Sequence, residues 1–398
     1  MVYSLVLILL SIAAFFYDYL YIKNSLRILT YVFFLIIFIF VSGFRYKVGG
    51  DSIGYLRVFE NDVPTLFNLN FDFIFHSKWE PLFNLLMSFS KTISTDFFLF
   101  QIIHAGIINI LFFSFFKRYT KNIFTTLFVY AFFSYLYLNT EILRESLAVA
   151  IFTIMYPAYE EKNWRKYYIW AIIACGFHTS ALVTLLFPFL RNIAFTKKAL
   201  YYLGFIFLSF VVLNTIFPID KLIALFGKGI SGKFDYYSNV KMNINGTIFK
   251  FVLFILCPLI LVYFKPKLSF EKTYLFSSVL FLYFLLAVTY VLISGLGRFM
   301  NYLLPMMSIY YADAIIGLVK KPEVRAISIF TVPLVVLLAF GYKIRYYFES
   351  TSNIYQNTTK FSMYYPYTNV FDPGNPEFRE ILYDQGLRES YYNAINRE

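Results

Sequence analysis

The chain has 398 residues, of which 59% are hydrophobic, 23% aromatic and only 15% charged. A soluble protein carries about 25% charged residues and breaks its apolar runs with polar faces, which excludes a soluble multi-domain enzyme. The net charge of +12 fits basic loops beside membrane spans better than nucleic-acid binding, with a remainder suited to an anionic lipid or a phosphate-bearing substrate.

Apolar runs of spanning length, about 17–25 residues, recur along the chain. The first, Val2 to Ile22, lacks a basic start and a small-residue cleavage site, so it reads as a span and not as a signal peptide. Spans are expected at 3–21, 27–44, 96–116, 122–138, 142–158, 166–176 with 178–190, 199–217, 247–264, 272–293, 299–318 and 325–342. The apolar stretch 81–93 is too short to cross comfortably and reads as a re-entrant or half helix. Gly176-Phe177-His178-Thr179-Ser180 interrupts 166–190 and predicts two short helices meeting at a turn.

Basic clusters set the orientation: Lys23/Arg27, Lys117/Arg118/Lys121, Lys162/Arg165/Lys166, Arg191/Lys197/Lys198, Lys265/Lys267 and Lys320/Lys321/Arg325. All six share one side only if 81–93 does not cross and 166–190 crosses twice. That arrangement has about twelve crossings, both termini outside, and outer segments at 45–95, 218–246 and beyond 343. Residues 1–344 then form one polytopic membrane domain. The segment 345–398, with five basic and seven acidic residues, forms an extramembrane tail. Cys175 and Cys257 lie within apolar runs, and His76, His104 and His178 lack ligand-like spacing, so no metal or other cofactor is expected.

Five clusters carry chemistry. In Arg45-Tyr-Lys-Val-Gly-Gly-Asp51-Ser-Ile-Gly-Tyr55 the paired glycines allow a tight turn that presents Asp51 near Arg45. The bland alternative is a snorkelling arginine and a helix-capping aspartate. Trp79-Glu80-Pro81 sets a carboxylate at the entrance of the half helix, where capping alone would explain it. Glu141-Ile-Leu-Arg144-Glu145 places ionisable groups a turn inside an apolar helix, facing either a cavity or each other. His178 stands at the broken helix, suited to proton transfer or to packing. Arg298, with Asn301 and Tyr302, begins the span at 299–318, as a phosphate ligand or an anchor. By the charge pattern all of these face the non-cytoplasmic side.

In this order, "FRYKVGGDSIGY", "WEPLFNLL", "EILRESLAVAIF", "GFHTSAL", "GRFMNYLLPM" and the tail "FSMYYPYTNVFDP" resemble the EpsG/Wzy-like family of bacterial polysaccharide polymerases. The resemblance implies an all-α integral membrane protein of about 11–12 transmembrane helices, GT-C-like, with re-entrant or broken helices and outer-face amphipathic segments. It implies a metal-independent glycosyltransferase that moves a growing glycan from undecaprenyl diphosphate to the non-reducing end of another lipid-linked unit. The product class is O-antigen, capsule or exopolysaccharide. The setting is the bacterial inner membrane, with the lipid-linked oligosaccharide as partner, beside a flippase and a chain-length regulator of the same pathway. Arg144 and Arg298 would hold the diphosphate with help from Arg45, since guanidinium stays charged and binds oxygens in pairs. Glu80, then Asp51, then His178 are the expected base or acceptor orienter. Tyr55, Tyr302, Glu141 and Tyr365 would contact sugar, with Tyr364 and Tyr367 nearby. A lipid-oligosaccharide flippase, a glycan-modifying acyltransferase and a scaffold with buried charge pairs are the competing readings.

Overall fold

The computed structural model describes residues 2–193, 195–216, 244–264, 273–292, 296–320, 341, 345, 347–348, 359–374 and 377–385. The span expected over 325–342 and the outer loop expected over 218–246 lie almost wholly outside the described residues. The chain divides into two compact units. The first takes Met1–Leu182, Pro305–Ile329 and Val336–Glu398, and the second takes Val183–Leu304 and Phe330–Val335. Among the described residues the secondary structure is helical, with isolated bridges only at Arg45–Asn369 and Asn369–Asp372.

In the first unit, α1 (Val2–Ala14) runs on through a π turn at Phe15–Tyr19, and α2 covers Leu26–Gly43. Then come α3 (Gly50–Asn61), the short α4 (Phe71–Phe75), α5 (Pro81–Ile93) and α6 (Phe97–Tyr119). The helix α7 (Ile123–Tyr130) is prolonged by π turns at Ala131–Tyr135 and Tyr137–Glu141. α8 (Leu143–Glu160) and α9 (Trp164–Phe177) complete this run.

Among the described residues three helices are long and apolar enough to cross a membrane: Val2–Tyr19, Leu26–Gly43 and Phe97–Tyr119. Shorter apolar helices among the described residues include Ile123–Tyr135, Thr179–Leu190 and Ser278–Val291, each within an expected crossing. α5 has the bounds expected of the half helix, and its 13 residues reach about 20 Å, short of a hydrocarbon core of about 30 Å.

The core of this unit is aromatic. Phe38 on α2 packs against Phe113, Tyr130 and Tyr135 at 5.2, 6.0 and 4.6 Å between ring centroids. Two buried amides bond to each other inside it. Asn109 donates to Asn139 Oδ1 at 2.9 Å, and Asn139 donates to the Tyr130 hydroxyl at 3.0 Å. At the far end of α1, Asp18 accepts from the Thr125 amide at 2.7 Å and its hydroxyl at 3.0 Å, and pairs with Arg27 at 3.5 Å.

The described tail folds back onto residues 44–57. Its amides and carbonyls pair with theirs: Tyr46 N–H to Thr368 O, Gly49 N–H to Met363 O and Val370 N–H to Phe44 O, at 2.9–3.0 Å. Arg379, fully buried on a helix over 377–385, donates to Thr368 Oγ1 at 2.6 Å and to the carbonyls of Ser362, Pro366 and Lys47. Arg57 grips both carboxylate oxygens of Asp384, and Lys47 pairs with Glu380.

The second unit begins within a 3₁₀ turn at Thr179–Leu186 and continues through α10 (Phe187–Leu190) and α11 (Lys197–Ile216). α12 (Ile244–Phe251), a π turn at Val252–Leu256, α13 (Cys257–Phe264), α14 (Thr273–Leu292) and α15 (Gly297–Met300) follow. Phe195 stacks on Phe284 at 4.7 Å, and Phe254 meets Tyr290 edge-on at 5.1 Å. α16 (Leu304–Lys320) leads back into the first unit, where Asp313 accepts from Thr120 at 2.6 Å and Asn122 at 2.7 Å.

Candidate functional site

The site starts at the mouth of α3. Gly49 has φ +92°, a backbone open to glycine and costly for other residues. The turn it makes sends the Gly50 and Asp51 amides onto the Glu141 carboxylate, at 3.0 and 3.2 Å. Tyr364 of the tail donates to the same carboxylate. A carboxylate at a helix N-terminus satisfies orphan amides and complements the dipole. The cap of α3 is therefore Glu141, and Asp51 lies exposed in the first turn, not in the capping position weighed for it.

One turn on, Tyr55 is buried and faces α8 and the half helix. Arg144 Nε donates to its hydroxyl at 3.2 Å, and Arg144 Nη1 meets Glu80 Oε2 at 2.7 Å. The guanidinium also sits 5.9 Å from the centre of the Trp79 ring, within cation–π range. Trp79 packs on Tyr55 and Phe83 at 5.0 and 5.5 Å. Burial pushes the Tyr55 phenol above its usual range, while Arg144 draws it part of the way back, so it stays protonated at neutral pH.

Glu80 immediately precedes Pro81, which suits the first helical position because it lacks an amide hydrogen. Its carbonyl accepts from Phe83 and Asn84, both at 3.1 Å, but its carboxylate makes no cap bond. The carboxylate turns instead to Arg144 and, through Oε1, to the Thr179 amide at 3.1 Å. That amide is the first donor after the break in the 166–190 helix. α9 ends at Phe177, His178 is extended at φ −158° and ψ 132°, and a 3₁₀ turn begins at Thr179. His178 Nδ1 lies 3.1 Å from the Ser180 amide nitrogen and 2.7 Å from its hydroxyl. A Cβ on Gly176 would fall 2.6 Å from Leu82, so the absent side chain lets α9 approach the half helix closely.

Four of the five clusters therefore meet in the first unit: Tyr55 and Asp51 on α3, Trp79 and Glu80 before α5, Glu141 and Arg144 flanking the start of α8, and His178 at the break. The partner of Arg144 is Glu80, not the neighbouring Glu145. Among the described residues Arg144 Nη2 has no hydrogen-bond partner, and the side chain keeps 21% of its exposure.

The remaining expected residues are placed differently. Arg45 is fully buried and donates through Nη1 to Ser42 O, while Tyr135 and Tyr367 donate to Phe38 O and Val41 O at 2.6 and 3.0 Å. Arg45 and Tyr367 thus serve carbonyls in the last turn of α2, where a cation is favoured, and Tyr135 bonds one turn further in. Tyr365 is exposed and stacks on Phe361 at 5.6 Å; its neighbour Tyr364 makes the contact with Glu141. Arg298 is exposed on α15 and Tyr302 is buried, both in the second unit.

Asn84 escaped the sequence reading. Fully buried on α5, its Nδ2 lies 2.7–3.2 Å from Ser77 Oγ and the carbonyls of Phe73, Ile74 and Trp79, gathering the loop that presents Trp79 and Glu80. An amide alone in the apolar stretch "PLFNLL" was the available signal.

A model of the EpsG family matches residues 27–368, a stretch that contains every residue of this constellation. The chain belongs to the EpsG family. No curated protein and no solved structure matches it. Membership brings a polysaccharide-polymerase role of the glycosyltransferase type, and with the apolar helices it makes this EpsG-family chain a membrane protein.

Proposed function

We propose that this chain polymerises lipid-linked oligosaccharide repeat units at the non-cytoplasmic face of a bacterial inner membrane. The growing glycan is transferred from undecaprenyl diphosphate to the non-reducing end of another lipid-linked unit. The bond between the anomeric carbon and the diphosphate oxygen breaks. A bond from the acceptor hydroxyl oxygen to that carbon forms, and undecaprenyl diphosphate leaves. The bilayer supplies both substrates, and a flippase and a chain-length regulator act in the same pathway.

The observation that carries this reading is Arg144. Glu80 and Tyr55 fix two of its nitrogens, and Nη2 remains for a phosphate oxygen. A guanidinium oriented in advance stabilises charge as it grows on the leaving diphosphate. Both oxygens of Glu80 already accept hydrogen bonds, which gives it the work of orienting Arg144. Asp51, exposed one turn before Tyr55 on α3, is the carboxylate that takes the proton of the acceptor hydroxyl. Tyr55 and Trp79 offer the flat apolar surface a sugar ring packs on.

The test is polymerisation of a purified undecaprenyl-diphosphate repeat unit by the full-length protein. Arg144→Ala is expected to insert normally and to leave products at one repeat unit. Long polymer from that variant would overturn the assignment. Normal polymer with failed translocation of the lipid-linked unit would assign the chain to lipid transport instead.

A further inference from the structure

His178 carries a proton-transfer expectation that its hydrogen bonds do not favour. A backbone amide can only donate, so the Ser180 N–H at 3.1 Å makes Nδ1 an acceptor and puts the neutral ring's proton on Nε2. The Ser180 hydroxyl at 2.7 Å converges on the same nitrogen. The Nδ1 lone pair is thus occupied and Nε2 bears hydrogen, which leaves the ring no lone pair with which to take a proton from a sugar hydroxyl. Protonation at Nδ1 would break the bonds that shape the turn.

We propose that His178 is a positioning residue of the Arg144 site, an inference that rests on the polymerase reading above. The ring accepts from the amide two residues ahead, as an asparagine side chain does in an Asx turn. That bond sets the chain direction between the extended His178 and the 3₁₀ turn at Thr179. The same direction sends the Thr179 amide to Glu80 Oε1, and Glu80 Oε2 holds Arg144 Nη1. His178 is itself buried at 6% exposure, behind the more exposed Thr179 and Arg144. Its influence on the reaction runs through Thr179, Glu80 and Arg144 in turn.

Side-chain shape separates this role from that of a base. The Oδ1 of asparagine sits where Nδ1 does, whereas the amide of glutamine reaches the position of Nε2. His178→Asn, His178→Gln, His178→Ala and Arg144→Ala are compared as full-length proteins, with membrane insertion and monodispersity recorded beside the rate of chain growth on undecaprenyl-diphosphate repeat units. His178→Asn is expected to stay within about threefold of the parent, while His178→Gln and His178→Ala fall about tenfold or more, the worth of one lost hydrogen bond to an oriented group. Well-inserted His178→Asn as slow as His178→Ala overturns the proposal, as does His178→Gln outperforming His178→Asn. If His178→Gln and His178→Ala do not accumulate, His178→Asn alone decides by its rate. If His178→Asn fails to accumulate, the asparagine does not replace the ring and the proposal is overturned. Arg144→Ala separates the two levels: full activity there sinks the polymerase site, whereas its loss together with loss in His178→Asn sinks only the role of His178.

Discussion

Arg144 Nη1 and Glu80 Oε2 meet at 2.7 Å although 64 residues separate them in the chain. The side chains keep 21% and 11% of their exposure, so the pair is largely withdrawn from water but still reachable by a ligand. Removing one member leaves a poorly solvated charge behind, which costs more than an intact surface pair contributes. Glu80→Gln, Arg144→Gln and the double variant are expected to show a coupling energy of about 1–3 kcal/mol in thermal unfolding in detergent. Additive effects would show that the two groups do not support each other.

Thr179 contributes to this pair only through its amide. Thr179→Pro deletes that donor, and the extended His178 before it is a backbone compatible with a following proline. Polymerisation is expected to fall about tenfold or more, because a hydrogen bond to a charged group contributes about 1.5–3 kcal/mol. Thr179→Ala, which keeps the amide, is expected to stay close to the parent. Equal loss in the two variants would place the contribution in the side chain.

This donor also marks the limit of what could be read beforehand. Pro81 after Glu80 announced the half helix at its observed start, and Gly176 with His178 announced the break, because both signals are local. Glu80 stood out in the sequence as a candidate, but its partners were not legible there: one is a backbone amide, which no residue letter encodes, and the other lies on a different helix. Arg45 looked like a phosphate ligand since nothing local shows that Tyr367 and Asn369 return to bury it. The tail's acidic and aromatic character reads as extramembrane but names no partner within the chain; its ion pair to Arg57 spans 327 residues.

Gly49 is expected to tolerate no side chain. Its φ of +92° costs an ordinary residue about 1–2 kcal/mol, and a Cβ there would sit 2.8 Å from Thr140 Cβ and 3.0 Å from Thr140 O. Gly49→Ala should lower the unfolding temperature and the yield of inserted protein. Because a backbone oxygen is part of the obstruction, Thr140→Ala should not restore them.

Two arginines hold the tail with different strength. Arg379 is fully buried among carbonyls that would lose their donor, whereas Arg57 and Asp384 keep 39% and 43% of their exposure. Arg379→Met is expected to free the tail at a cost of about 2–4 kcal/mol, and Arg57→Ala at about 0.5–1 kcal/mol. Limited proteolysis after residue 374 reads both. The Arg57 effect should shrink in high salt, and the charge swap Arg57→Asp with Asp384→Arg should recover it.

The contact between Tyr364 and Glu141 joins residues 223 positions apart, and it imposes an order on biosynthesis. When the ribosome has made the last long apolar segment, α3 still lacks the phenol that steadies its capping carboxylate. The mouth of α3 is complete only once the chain has been made as far as Tyr364. A chain truncated before Tyr364 is expected to carry α3 with its capping carboxylate short of one donor.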